Sequence, residues 1–153
     1  MELHEYAVIP HLTVKNAAAA IEFYKSVLGF NEVTRSLMPD GKVMHCQLEL
    51  RGFPILLNEY MPGMSAPQSD SQAGAGPSIT LTINVPDVDA TFAKAVAAGA
   101  KPAMPVADMF WGDRYGKIID PFGQHWAIST HKENVSHEEA NRRAAEFFKK
   151  WKK

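Results

Sequence analysis

The chain has a single cysteine, Cys46, in 153 residues, which excludes an internal disulfide framework and any multi-cysteine zinc site. Cys46 lies in an apolar alternating stretch rather than at a helix start, so burial is expected and an activated thiolate is not. Charge of either sign is not in excess. Sixteen Lys and Arg stand against seventeen Asp and Glu, a net charge of −1, which argues against an electrostatic footprint for nucleic acid or an anionic membrane surface. There is no apolar run of membrane-spanning length, and the opening MELHEYAVIP lacks the basic and apolar regions of a signal peptide. A cytoplasmic protein with no nucleic-acid or membrane partner is expected. Also missing in context are the G-x-S-x-G elbow, the phosphate-binding P-loop and the dinucleotide glycine fingerprint.

What is present centres on residues 110–123, FWGDRYGKIIDPFG. Asp120-Pro121-Phe122-Gly123 has the chemistry of a tight turn, with Asp opening it, Pro presetting φ and Gly tolerating a positive φ. Lys117-Ile118-Ile119 before it and Gln124 to Thr130 after it read as two strands of a hairpin. This block has an echo upstream. Val14 and Val85, Gly29 and Gly99, Gly41 and Gly116, and Gly52 and Gly123 recur in one order at offsets of about 70 to 75 residues. Four landmarks at nearly constant spacing indicate an internally duplicated strand-helix-strand-strand-strand unit.

Along the chain, Ala7 to Val14 alternates as a first strand, with Pro10 suggesting an edge or bulge. Asn16 can cap a helix from Ala17 to Leu28 that Gly29 stops. Strands follow at Phe30 to Arg35, Val43 to Leu50 and Pro54 to Glu59. In the middle one Met44, Cys46, Leu48 and Leu50 face the core and His45, Gln47 and Glu49 the other side. Residues 61–77 read as a connector. Ser78 to Val85 is a clean strand, Val88 to Ala98 a helix with Val88, Phe92, Ala95 and Val96 as its buried stripe, and Lys101 to Asp108 an edge strand interrupted by prolines. Ser136 and Glu139 form a capping box for a last helix to about Lys152, with Ala140, Ala144, Phe147, Phe148 and Trp151 available for packing.

The order of these elements carries a family resemblance. Ala20 to Phe30 (A-I-x-F-Y-x-x-x-L-G-F), Val85 to Ala90 (VPDVDA), Ala98 to Ala100 (AGA) and Asp120 to Trp126 (D-P-F-G-x-x-W) resemble the vicinal oxygen chelate superfamily of glyoxalases, bleomycin-resistance proteins and dioxygenases. The 110–116 stretch is most similar to its PhnB-like branch. The resemblance covers about residues 7 to 130. It implies an α+β fold of two tandem βαβββ modules, forming curved mixed sheets around a cleft, plus a C-terminal helix. The modules would be residues 1–60 and 78–131, with a linker at 61–77 and the helix at 132–153. Homodimers are common in the family, and a homodimer is expected.

Many members hold a divalent metal through one residue on the first strand and a Glu on the last strand of each module. The repeat places those positions near Ile9, Leu56, Thr80 and Ala127, none of them a good donor for Zn, Ni or Fe. No cofactor is therefore expected. The alternative is a displaced metal site from His11, His45, Glu59 and His125, in a metal-dependent lyase, isomerase or dioxygenase. The favoured reading is a small-molecule-binding protein of the bleomycin-resistance type, acting by sequestration and conferring antibiotic resistance. Its candidate lining is His11, His45, Gln47, Leu56, Asn58, Thr80, Thr82, Phe110, Trp111, Arg114, His125 and Ala127, a mostly apolar surface with a few orienting polar groups. Within this set Arg114 reads either as an anion clamp beside Trp111 or as half of a hairpin ion pair with Asp113. Phe110 and Trp111 read either as a ligand lid or as a dimer contact. Tyr115 reads either as an acid or as a structural hydrogen-bond donor, and Met38, Met61, Met64, Met104 and Met109 offer flexible apolar contact near the loops.

Overall fold

A computed structural model describes residues 1–65 and 79–151 of the chain. The connector expected at 61–77, the strand start at Ser78 and the packing of Trp151 therefore lie wholly or largely outside the described residues. After a short 3-10 turn at Leu3–Glu5 come β1 (His11–Val14), α1 (Ala17–Ser26), β2 (Asn31–Leu37), β3 (Val43–Leu50) and β4 (Phe53–Glu59). Then follow β5 (Thr80–Asn84), α2 (Val88–Ala97), β6 (Lys101–Asp108), β7 (Asp113–Ile119), β8 (His125–His131) and α3 (His137–Trp151). The first sheet has strand order β1-β4-β3-β2 and the second β5-β8-β7-β6. In each, the first and last strands pair in parallel and the other neighbours are antiparallel. The duplication visible in the spacing is thus a duplication of topology, two βαβββ modules with a terminal helix. The chain divides into two compact units, the first running from Met1 and taking in Pro121–Gly123, the second comprising Ile79–Asp120 and the chain from Gln124.

In the first unit, α1 starts at Asn16, which holds a positive φ of 61° while its side chain accepts the Ala19 N–H at 3.4 Å. Ala17, Ala20, Ile21 and Tyr24 recur at three- and four-residue spacing and are fully buried, the stripe that seats a helix on a sheet. Burying Ile21 and Tyr24 contributes on the order of 2 kcal/mol apiece. Phe122 joins this core, edge-on to Phe23 at 6.1 Å and Tyr24 at 6.3 Å. In the second unit Asp87 caps α2 by accepting the Ala90 N–H at 3.0 Å. The helix closes as a Schellman motif, the Ala100 N–H returning to the Ala95 carbonyl over Gly99. Gly116 permits α2 to lie close to β7: a Cβ there would stand 2.9 Å from Val106 and 3.1 Å from Phe92.

Five local expectations change. β1 begins at His11 rather than Ala7; Pro10 has no N–H to donate and joins the ladder only through its carbonyl, which accepts from Leu56 at 2.9 Å. β7 begins at Asp113 rather than Lys117. A register shift between Ser36 and Leu37 inverts the alternation of β3 at its start, so that Val43 is buried and Met44 is half exposed. Val96 of α2 is likewise exposed to solvent. Of the capping box at α3, Ser136 accepts the Glu139 N–H at 3.1 Å, but the Glu139 carboxylate turns to Arg142 and Arg143. No described helix is long and apolar enough to cross a membrane.

Candidate functional site

Strand register decides which sequence candidates share a face. In the first unit, the α1 side of the sheet carries Cys46, Leu48, Ile55 and Leu57, all buried. The opposite side carries Leu56, with His11 and Gln47 as its cross-strand partners, and Asn58, partnered with Thr13. His45 joins them two residues from Gln47, its ring edge-on to His11 at 6.1 Å. Thr13 donates to the Asn58 side chain at 3.1 Å, and the Asn58 amide donates to the Glu59 carbonyl at 2.8 Å. The five sequence candidates of this unit therefore lie on one helix-free face. The His11 pKa is lowered from its ordinary value: atoms packed around the ring disfavour the cation and a charged His45 would repel it, while the Asn58 contact works the other way. His11 accordingly serves as a neutral imidazole at physiological pH.

Glu59 does not join that face. Its carboxylate accepts the backbone N–H groups of Asn16 and Ala17, both at 2.8 Å, and so serves the N-terminal end of α1, where unsatisfied donors and the helix dipole favour an anion. Glu59→Ala is expected to cost about 1–2 kcal/mol in a urea unfolding curve, with Glu59→Gln intermediate.

In the second unit, the side of the sheet away from α2 carries His125 with its partners Thr80 and Ile119, Ala127 with Thr82 and Lys117, and Tyr115 with Ser129. Ala127 is fully buried and forms floor rather than accessible surface. The Nε2 of His125 is buried and has no hydrogen-bond partner among the described residues. Trp111 stands beside this face, edge-on to Tyr115 at 5.2 Å. Its indole donates to Asp113 Oδ2 at 3.0 Å, which also accepts from Ser129 at 3.2 Å, while Asp113 Oδ1 meets His131 Nδ1 at 2.9 Å and His131 Nε2 meets Asn134 at 2.8 Å. Loss of water around the Tyr115 phenol raises its pKa and keeps it a donor.

The contact with Asp113, and then that with Asn134, raises the His131 pKa above its ordinary value of about 6.5. This tie therefore stabilises fully below about pH 6.5 and is lost as pH rises through the raised folded value. An NMR titration should place the His131 midpoint above 6.5 and that of His11 below, and Asp113→Asn should return His131 alone toward the ordinary value.

Two candidates stand elsewhere. Arg114 is the cross-strand partner of Thr130 and belongs to the α2 side of the sheet. It pairs there with Asp89 at 2.6 and 3.0 Å and with Asp108 at 3.2 Å. It is an ion-paired residue, though with partners other than Asp113, and both flanks of its fork are occupied by carboxylates. Phe110 packs under α3, 5.5 Å from Phe147 and 6.2 Å from Phe148, so it anchors that helix. A depression of about 510 Å³ nearby is lined by Asp108, Met109, Gly112, Asp113, Arg114, Lys132 and Glu133; its walls are charged and already paired in part.

For a divalent metal, the residues facing one another across the parallel pairs are His11 and Leu56 in one unit and Thr82 and Ala127 in the other. These four side chains offer one imidazole and no carboxylate, while Ile9 lies outside β1 and Thr80 is the partner of His125. Among the described residues no three His, Cys, Asp or Glu converge on a point where an ion could be held. Of the displaced set of His11, His45, Glu59 and His125, Glu59 is already engaged at the start of α1. Sequence reasoning passed over Lys117 and the Asp113–His131 pair. Lys117 could have been noticed as a lone cation in an Ile-rich strand, whereas Asp113 and His131 meet only through pairing.

Fold and register together define a duplicated βαβββ protein with polar, helix-free sheet faces, and the chain belongs to the Glyoxalase/Bleomycin resistance protein/Dioxygenase superfamily, whose family model matches residues 3–128. It is 40% identical over 136 residues to the uncharacterized protein Rv0887c of Mycobacterium tuberculosis, covering 88% of this chain and 80% of that one. The Arabidopsis thaliana At5g48480 gene product is similar in structure, with a TM-score of 0.64 at 29% identity over 81% of this chain and 98% of that one. A putative PhnB protein from Bacillus cereus shares the fold, with a TM-score of 0.64 at 19% identity over 82% and 99% of the two chains.

Proposed function

We propose that this chain binds a small, partly aromatic or amphipathic organic molecule on the helix-free faces of its sheets, and does so without the four-ligand metal site used by many of its superfamily. The observation that carries this reading is the shared face of His11, His45, Gln47, Leu56 and Asn58, a surface with an apolar centre and hydrogen-bonding groups of fixed orientation. In the second unit Thr80, Thr82 and His125 share the corresponding face, with Trp111 at its margin. Sequestration of the ligand by a cytoplasmic homodimer is the role that fits such a surface best.

A thermal-shift screen of aromatic and amphipathic compounds tests it, since a ligand of the native state raises apparent stability by mass action. Hits should stabilise the wild type and lose their effect in Gln47→Ala. Elemental analysis of untagged protein purified without chelator tests the competing metal-dependent enzyme. Stoichiometric metal that disappears in a His11→Ala/His125→Ala variant would overturn the proposal.

A further inference from the structure

Lys117 is half buried in the middle of β7, on the side of the sheet away from α2, with Ala127 directly across from it. No carboxylate among the described residues pairs with its ammonium, although most of the other half-buried basic side chains of the second unit are paired: Arg114 with Asp89 and Asp108, Arg143 with Glu133 and Glu139. His125 stands one position diagonally from it on the neighbouring strand, and diagonal neighbours on one sheet face are within reach of long side chains. The His125 Nε2 is the one buried side-chain nitrogen or oxygen among the described residues that lacks a hydrogen-bond partner. A buried polar atom without a partner is costly, and the Lys117 ammonium on the same face brings a positive charge with no counter-ion among the described residues. Both groups lie on one face of one sheet, and a single guest that supplies an anion and a hydrogen-bonding oxygen partners both. Ser and Thr hydroxyls cannot supply the charge, so Thr80 and Thr82 on the same face are adjuncts only.

Resting on the reading that this face binds a small molecule, we propose that the ligand is an acid, a carboxylate or phosphate ester attached to an apolar body, with its acid group held between the Lys117 ammonium and His125 Nε2. The apolar body then lies toward Trp111 and Tyr115, whose edge-to-face pair borders the same face.

Calorimetric titration with 2-naphthoate, 2-naphthyl phosphate and neutral 2-naphthamide tests the assignment, because the three share one ring system. At least one acid should bind about tenfold or more tightly than the amide, as a charge-assisted contact requires, and whichever acid binds better identifies the group. Lys117→Met should reduce acid binding to the level of the amide and leave the amide unchanged, while Lys117→Arg, which keeps charge and fold, should retain most of the affinity. His125→Phe should also weaken the acids by about tenfold. Amide binding equal to that of both acids, or acid binding in either Lys117→Met or His125→Phe equal to wild type, overturns the acid assignment and leaves small-molecule binding standing. Failure of all three probes to bind the wild type overturns the assignment and the binding reading of this face together.

Discussion

Alanine in place of Gly112 is expected to lower the unfolding free energy by about 3–4 kcal/mol and to release the segment that leads into α3. Gly112 is buried with φ at +105°, and a Cβ there would stand 2.3 Å from the Glu133 carbonyl oxygen and 2.8 Å from Val135. Two effects add. An L side chain is strained at this backbone conformation, and the backbone of Glu133 cannot yield without breaking what it makes, because the Lys132 and Glu133 N–H groups both donate to the Gly112 carbonyl at 3.0 Å. Pushing that strand of chain away also disturbs Phe110, over which Phe147 and Phe148 of α3 pack, and the neighbouring Trp111–Asp113–His131 chain. Urea unfolding followed by circular dichroism reads the stability, and limited proteolysis near residue 135 reads the release. A loss under about 1 kcal/mol with α3 still protected would show that the 132–135 segment is not held by Gly112.

Asp120→Ala is expected to cost a similar amount, about 3–4 kcal/mol, through unmet donors rather than a clash. Asp120 is 4% exposed. One carboxylate oxygen accepts the Gln124 N–H at 2.9 Å and closes the Asp-Pro-Phe-Gly turn, and the other accepts the Trp126 indole at 2.9 Å. Trp126 is itself 1% exposed, so its N–H has no access to water once the carboxylate is gone. Each stranded donor costs on the order of 1–3 kcal/mol. Asp120→Asn restores one acceptor and should recover part of the loss. A loss no larger than that of an exposed surface substitution would mean that Trp126 finds a second acceptor. The turn that the sequence marks most strongly is thus held by a buried side-chain clamp as well as by its Pro and Gly.

Much of this architecture is written locally. The helix stripe Ala17, Ala20, Ile21, Tyr24, the stops at Gly29 and Gly99, the caps at Asn16 and Ser136 and the repeat offset near 71 residues depend on neighbours within a turn or a strand, where spacing and residue type suffice. Arg114 shows where local reading stops. Taken as turn entry, it could be assigned to Trp111 and a ligand, but β7 continues back to Asp113, and strict alternation through Gly116 puts Arg114 on the α2 side with Asp89. Met44 shows the same limit through a bulge, since one shifted residue exchanges the faces of a strand.

The sequence alone determined that the chain would form two βαβββ modules with a helix after them, because periodicity and turn chemistry act over a few residues. It also brought His11, His45, Gln47 and Asn58 to attention as polar residues alternating with a core. Tertiary structure decided what those groups do. Glu59 caps α1 across 43 residues of chain, Asp113 meets His131 through strand pairing, and His125 is left with a buried nitrogen that no described residue satisfies. Hydrogen bonds and desolvation act through space at about 3 Å, and sequence separation carries no information about which polar groups come that close.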